Sequence, residues 1–337
     1  MKRLFIILLI AIGIYSCENF DIEHPDFDYT SGYFPYQYPV RTLVLGDYIY
    51  DNENDNNHKF IISAAIGGVY ENRQDRVFDI EVDESLCQNV LFDNGDTVRA
   101  LPSNYYTLSD NSKIVVPSGK INGGIEVQLT DAFFADTLSY RNAYVVPIRM
   151  KQSADVDTIL NGLPAVDNPD VRVAGDWITT PKNFTMFAVK YINEFHGTYF
   201  QYGESSIKDA NGTEVESKEY NAKYVEQNST VKLVTSGRNQ VLFNTHFMSD
   251  IFEGNLNMVL NFNGENCSIE AAKGSEYTIT GNGVFKEKAY NWGNKERDGI
   301  ELTYTVAVED SSYVASDVLV IRDRAVGMET YSPEVYE

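Results

Sequence analysis

"GIELTYTVAV", Gly299–Val308, alternates without a break. Ile300, Leu302, Tyr304, Val306 and Val308 fall on one side, Glu301, Thr303, Thr305 and Ala307 on the other. A period of two puts successive side chains on opposite faces of an extended chain, so this stretch is a strand with one dry and one wet face. The rhythm recurs where Phe78, Ile80 and Val82 alternate with Asp79, Glu81 and Asp83, and where Ile125, Val127 and Leu129 alternate with Glu126, Gln128 and Thr130. Turn chemistry separates such runs at Asn94-Gly95, Asn122-Gly123-Gly124, Asn211-Gly212, Asn263-Gly264, Asn282-Gly283 and Asp298-Gly299. No long segment carries a helical period; residues 247–256 are expected to make a turn or two of helix. The chain reads as all-β.

A chain of 337 residues exceeds what one small core spans, and two units are expected. Short strands fill residues 37–152, which have the size of a β-sandwich. Residues 153–182 carry Pro164, Pro169 and scattered Asp without clean alternation, and are read as a connector. Strands resume at Phe184 and run longer in a meander order through 183–337, which suits an up-and-down barrel or a second sandwich. The pattern alone leaves both open.

The first residues have their own logic. Met1-Lys2-Arg3 precedes an apolar run from Leu4 to Tyr15, shorter than the roughly 20 residues that cross a bilayer but suited to a secretory signal. Ile14-Tyr15-Ser16-Cys17 places a small residue before a cysteine, as in a bacterial lipobox, although Tyr15 stands where small residues are usual. Residues 1–16 are therefore expected to be removed and Cys17 to be lipidated. Acyl chains, at about 0.8 kcal/mol per buried CH₂, then hold the protein on a membrane without a spanning segment. Residues 17–36 carry Glu18, Asp21, Glu23, Asp26 and Asp28 and no Lys or Arg, which describes an acidic tether.

The formal charge is −22, and loss of Lys2 and Arg3 takes it to −24. Such a chain is repelled by phosphate backbones, which sets nucleic acid aside as a partner. Besides Cys17 there are only Cys87 and Cys267, one in each unit, read as two buried thiols in preference to a bridge across the units.

Longer stretches carry a resemblance. "YYTLSDNSKIVVPSGKINGGIEVQLTDAFFADTLSYRNAYVVPIRM" (Tyr105–Met150) resembles the N-terminal sandwich of Bacteroidetes lipoproteins classed as domain of unknown function 1735. The carrying features are a Tyr-x-Leu strand, an Ile…Pro-x-Gly turn, Gly-Gly before "IEVQLT", and the closing "YVVPIRM". One member of that group precedes a glycan-cleaving domain. From "NFTMFAVKYINEFHGTYFQYGE" (Asn183–Glu204), through "GNGVFKEKAYNWGNKERDGIELTYTV" (Gly281–Val306) and "SDVLVIRDRAV" (Ser316–Val326), the chain is similar to the lipocalin-like C-terminal domain of unknown function 5627. The resemblance implies an Ig-like sandwich followed by an antiparallel lipocalin-like β-barrel. It also implies a cell-surface, outer-membrane lipoprotein beside a SusC/SusD-type importer in a polysaccharide-utilisation locus. It supplies no catalytic residues.

The residues point to binding without catalysis. His24, His58, His196 and His246 are not spaced as a metal pair, and no nucleophile elbow or phosphate loop occurs. The acids of "DRVFDIEVDE" (Asp75–Glu84) fit the wet face of one strand. "DNENDNNH" (Asp51–His58) lacks the Gly and Glu of an EF-hand loop and reads as a solvated hairpin loop. No metal or cofactor is expected. Aromatic rings that can stack on sugar faces, next to amides, are the binding candidates. Trp292, in a polar turn with Tyr290, Asn291 and Asn294, is either a stacking platform or a ring capping one barrel end. Tyr199 and Gln201 share one face of their strand, Phe200 and Tyr202 the other; one face is core and the other can line a pocket. Trp177 is a further candidate, read chiefly as a wedge between the units. The expected function is non-catalytic capture of an oligosaccharide or polysaccharide; the alternative is a structural or adhesive surface protein that binds a protein partner.

Overall fold

The computed structural model of the chain describes residues 27–336. Cys17, the leader and most of the tether, His24 included, lie outside the described residues. Strands make up 54% of the structure and helix 6%, as a sandwich-like N-terminal region and a closed eight-strand antiparallel barrel. The all-β reading and the barrel are thus borne out.

The sandwich faces a five-stranded sheet against a larger one. The first runs Thr158–Ile159, Ser31–Tyr33, Lys59–Gly67, Asn122–Leu129, Tyr106–Leu108. The second runs Glu329–Thr330, Pro39–Val44, Phe184–Ile192, Tyr144–Gln152, Arg76–Val82, Lys113–Val116. Phe60, Ile62, Phe78, Ile125, Val127, Val146 and Ile148 fill the space between them, each buried. The acids of Arg76–Val82 and its exit stay on the wet face, where the neighbouring strand answers them. Gln152 donates to Asp79 at 2.8 Å, Lys151 pairs with Glu81 at 2.7 Å and Arg149 with Asp83 at 2.7 Å.

The unit boundaries differ from those read in sequence. Phe184–Ile192 is not the first barrel strand; it lies inside the sandwich, antiparallel to Tyr144–Gln152 and parallel to Pro39–Val44. It is buried on both faces: Val189 and Tyr191 face the main core, while Phe184, Met186 and Ala188 face a second, smaller core with Leu86, Val90, Phe92 and Tyr331. A strand covered on both sides loses its alternation, which is why it read as the start of a new unit. Ser31–Tyr33 pairs inside the sandwich although it falls in the expected tether, and the chain's last residues return to the sandwich. Of the connector, Thr158–Ile159 joins the first sheet and Leu163–Pro164 pairs with Trp177–Thr179 as a separate ribbon.

The barrel strands are Gly197–Lys208, Ser229–Gly237, Gln240–His246, Asn255–Asn263, Asn266–Ala271, Thr278–Trp292, Lys295–Val308 and Ser311–Asp323, closed by pairing of the last with the first. Glu214–Tyr220 adds a ninth strand to the outer half of Gly197–Lys208. Eight strands leave an interior that side chains fill. Phe243, Met258, Leu260, Ile300, Leu302, Val306 and Leu319 fill it here, and Phe195 stacks on Phe262. A polar knot sits among them. Asp317, 1% exposed, accepts from Tyr220 at 2.6 Å, Tyr304 at 2.9 Å and Gln201 at 3.0 Å.

Several local expectations change. Asn122-Gly123-Gly124, Asn282-Gly283 and Asp298-Gly299 lie within strands and not at turns. Those glycines answer crowding: a Cβ on Gly123 would stand 1.9 Å from the Val115 carbonyl oxygen. Residues 247–254 form a loop with no helix. "DNENDNNH" is not simply solvated: Glu53–Asn56 makes a helical turn whose buried Asp55 accepts from the Val44 amide at 2.9 Å and pairs with Arg41. Cys87 and Cys267 are free thiols, raised by burial to about 12 and about 11.

Candidate functional site

The barrel mouth meets the sandwich at the loop that leaves Pro39–Val44. Gly46 has φ +83°, and a Cβ there would stand 2.5 Å from Glu194 Cβ, so only glycine lets the loop cross the start of the barrel this closely. The loop is clamped from one side by Asn52, whose amide donates to the Val44 and Gly46 carbonyls, each at 2.8 Å. Arg324 clamps it from the other. Its buried guanidinium donates to Leu45 O at 2.9 Å, Asp47 O at 2.8 Å and Asn193 O at 2.5 Å, tying loop, link and barrel exit together.

Beyond the clamp the loop turns its side chains outward. Tyr48 and Tyr50 meet edge to face at 5.4 Å, and Ile49 and Tyr50 are each 67% exposed. They form one wall of a cleft of about 650 Å³, inside the range of ligand sites. The opposite wall comes from the hairpin Thr278–Trp292/Lys295–Val308 and from residues 321–326. The hairpin turns on Gly293 and Asn294 with φ of 60° and 58°, the pair of left-handed residues a type I′ turn needs.

The cleft's polar groups are of mixed sign. Asp298 accepts from the Lys288 amide at 2.8 Å, and burial, with Asp47 and Glu287 nearby, pushes its carboxyl up. Partial burial also raises Glu194, against the pull of Arg324. Arg297 and Arg324 each bury an Nε–H that has no protein acceptor among the described residues. The site thus offers flat rings beside charged groups of both signs. No group of three or more His, Cys, Asp or Glu is placed to hold a metal among the described residues.

The seven candidate residues separate. Trp292, Tyr290 and Tyr202 gather on the outer wall of the barrel. The Trp292 indole donates to Ile321 O at 2.9 Å and meets Phe200 edge-on at 5.2 Å; the Arg297 guanidinium lies over its ring at 4.4 Å. The ring therefore anchors the hairpin and carries Arg297, and does not offer an open face to a sugar. Tyr290 covers Gly299 and donates to Glu301 at 2.8 Å, which also takes Lys286 at 2.5 Å; both partners hold the Glu301 carboxyl down. Asn291 and Asn294 are exposed on the hairpin. Tyr199 points into the barrel, 1% exposed, and donates to Phe195 O at 2.8 Å; it meets the cleft only as its floor. Trp177 does not wedge the two units: its indole donates to Asp170 O at 2.8 Å and its ring packs on Gly162 within the connector ribbon.

Sequence reading missed Tyr48, Tyr50, Glu194, Arg297 and Asp298. One signal was present: Gly46-Asp47-Tyr48-Ile49-Tyr50-Asp51 places three large apolar side chains in a loop flanked by acids, with no strand to bury them.

Fold and cleft together define a class: a two-part all-β protein whose closed barrel docks on a sandwich and shares a ligand-sized cleft with it. A Bacteroides ovatus crystal structure of unknown function superposes with a TM-score of 0.85 at 36% identity, over 92% of this chain and 100% of its own. The chain belongs to the same family as that protein. Residues 194–325 match the domain of unknown function 5627, and residues 27–157 match a family described only as an N-terminal domain. Two further B. ovatus structures are more distant. A multidomain protein including DUF1735 is 11% identical over 87% of this chain and 94% of its own, with a TM-score of 0.43. A protein of unknown function is 12% identical over 90% and 100%, with a TM-score of 0.42. No curated protein matches this chain.

Proposed function

We propose that this protein is a non-catalytic, lipid-anchored glycan-binding protein of the outer membrane that captures polysaccharide for a SusC/SusD-like importer, and that the ligand lies in the cleft between sandwich and barrel. One observation carries the reading: exposed Tyr50 and half-buried Tyr48 form one wall of a ligand-sized cleft whose other lining residues include Glu194, Arg297 and Asp298. Sugars present apolar faces that rings cover and hydroxyls that both donate and accept, and this mixture answers both needs. The charges of the cleft nearly balance, which suits a neutral ligand. Lipid on Cys17 and the acidic segment after it keep the two β units at the membrane.

The test is affinity electrophoresis of the intact protein against a polysaccharide panel, with Tyr50→Ala beside it. The expected result is retardation by at least one glycan, reduced about tenfold in affinity by Tyr50→Ala, the loss of one stacked ring at roughly 1–1.5 kcal/mol. Equal retardation of both proteins removes the cleft from the account.

A further inference from the structure

The tyrosine loop that walls the cleft has a second depression behind it. On the far side of Tyr48 and Tyr50 a second depression of about 540 Å³ opens over Pro39–Val44 and under residues 326–328. Tyr48, Tyr50 and Val326 border both depressions, so the two adjoin along the tyrosine loop. The second depression repeats the chemistry of the first on a smaller scale. Arg41 keeps 42% of its side chain exposed beside Asp55, exposed Asp51 accepts from the Glu53 amide at 3.1 Å, and Met328 is 76% exposed at the rim. Each depression alone falls within the roughly 300–1,000 Å³ of ligand pockets, so the adjoining pair has room for a longer ligand than either. A site for a sugar terminus would close around one end; here polar groups and apolar surface continue past the rings in both directions.

We infer that the ligand is the interior of an extended carbohydrate chain, lying across the tyrosine loop with sugar units in both depressions. This rests on the glycan reading above and narrows it to long chains over terminal mono- or disaccharides. Gly327 supplies the probe. It borders only the second depression, and a Cβ added there meets nothing within 4 Å, so the backbone admits Gly327→Trp with its ring beside that depression, and an unchanged thermal midpoint checks that the fold is kept.

Calorimetric titration of the intact protein with size ladders of xylan, mannan, glucan and pectin fragments tests the inference. On the binding ladder, a hexasaccharide is expected to bind about tenfold or more tighter than the disaccharide. Gly327→Trp is expected to bring the hexasaccharide down to the disaccharide's affinity while leaving the disaccharide unchanged. A disaccharide that binds as tightly as the hexasaccharide, or a hexasaccharide indifferent to Gly327→Trp, overturns the extended-chain inference and leaves the cleft standing. Absence of binding to every ladder overturns the glycan reading and this inference with it.

Discussion

Arg324 holds the site's geometry with a single side chain. Its guanidinium satisfies three carbonyls from two parts of the fold, and hydrogen bonds to a charged group are worth about 1.5–3 kcal/mol each when buried. Arg324→Ala is expected to cost on the order of 3 kcal/mol in denaturant unfolding. Arg324→Lys recovers little of that, because one ammonium cannot reach a fork of three carbonyls. His196 sets a pH dependence. Its Nδ1 accepts from the Thr235 amide at 3.0 Å, and burial with nearby Arg324 lowers its pKa from 6.5 to about 4. A histidine held neutral in the fold contributes stability that is complete above 6.5 and lost as pH falls from 6.5 towards 4, because the unfolded chain takes up the proton first. Unfolding free energy measured across that window is expected to fall less steeply in His196→Gln. Asp317 acts in the opposite sense: burial raises its carboxyl, so it weighs on the fold as pH rises above the ordinary carboxylate range.

At the scale of elements, the C-terminal strap and the long hairpin position the site. After the barrel closes, Glu329–Thr330 pairs with Pro39–Val40 and Glu334–Val335 with Val90–Leu91. Tyr331 is buried between these pairings, donating to Met186 O at 3.0 Å. Removing a buried aromatic ring costs about 3–5 kcal/mol, so Tyr331→Ala is expected to lower the midpoint of thermal unfolding and to loosen the sandwich before the barrel by hydrogen exchange. Trp292→Ala deprives Arg297 of its platform without removing a ring from the cleft; by calorimetry it is expected to weaken glycan binding less than Tyr50→Ala. How much of this was legible follows from burial. Strands with one wet face, such as Lys295–Val308, announce themselves by alternation. Phe184–Ile192 is covered on both faces and carries no such signal, so its place in the sandwich is not legible in sequence. Trp292 and its polar neighbours looked like a site because the sequence cannot tell that Arg297 and Phe200 close over the ring.

At the scale of the molecule, the cleft depends on the two β units staying fixed to each other. The cleft is built half from a sandwich loop and half from a barrel rim, so neither unit alone carries it. Such a junction is invisible to a reading that takes each unit in turn, and this is why residues 47–50 and 295–298 are not legible as a set. Placement at the membrane is tested separately: intact mass of the exported protein is expected to show loss of residues 1–16 and acylation of Cys17, and an unmodified thiol there contradicts the anchor. Everything turns on where the ligand lies. Hydrogen–deuterium exchange of the intact protein with and without its best-bound glycan reads this directly. Slowed exchange at residues 46–51, 295–298 and 321–327 together is the expected result. Protection confined to the outer barrel wall around Tyr202 and Tyr290, or none in the loop carrying Tyr48 and Tyr50, contradicts it.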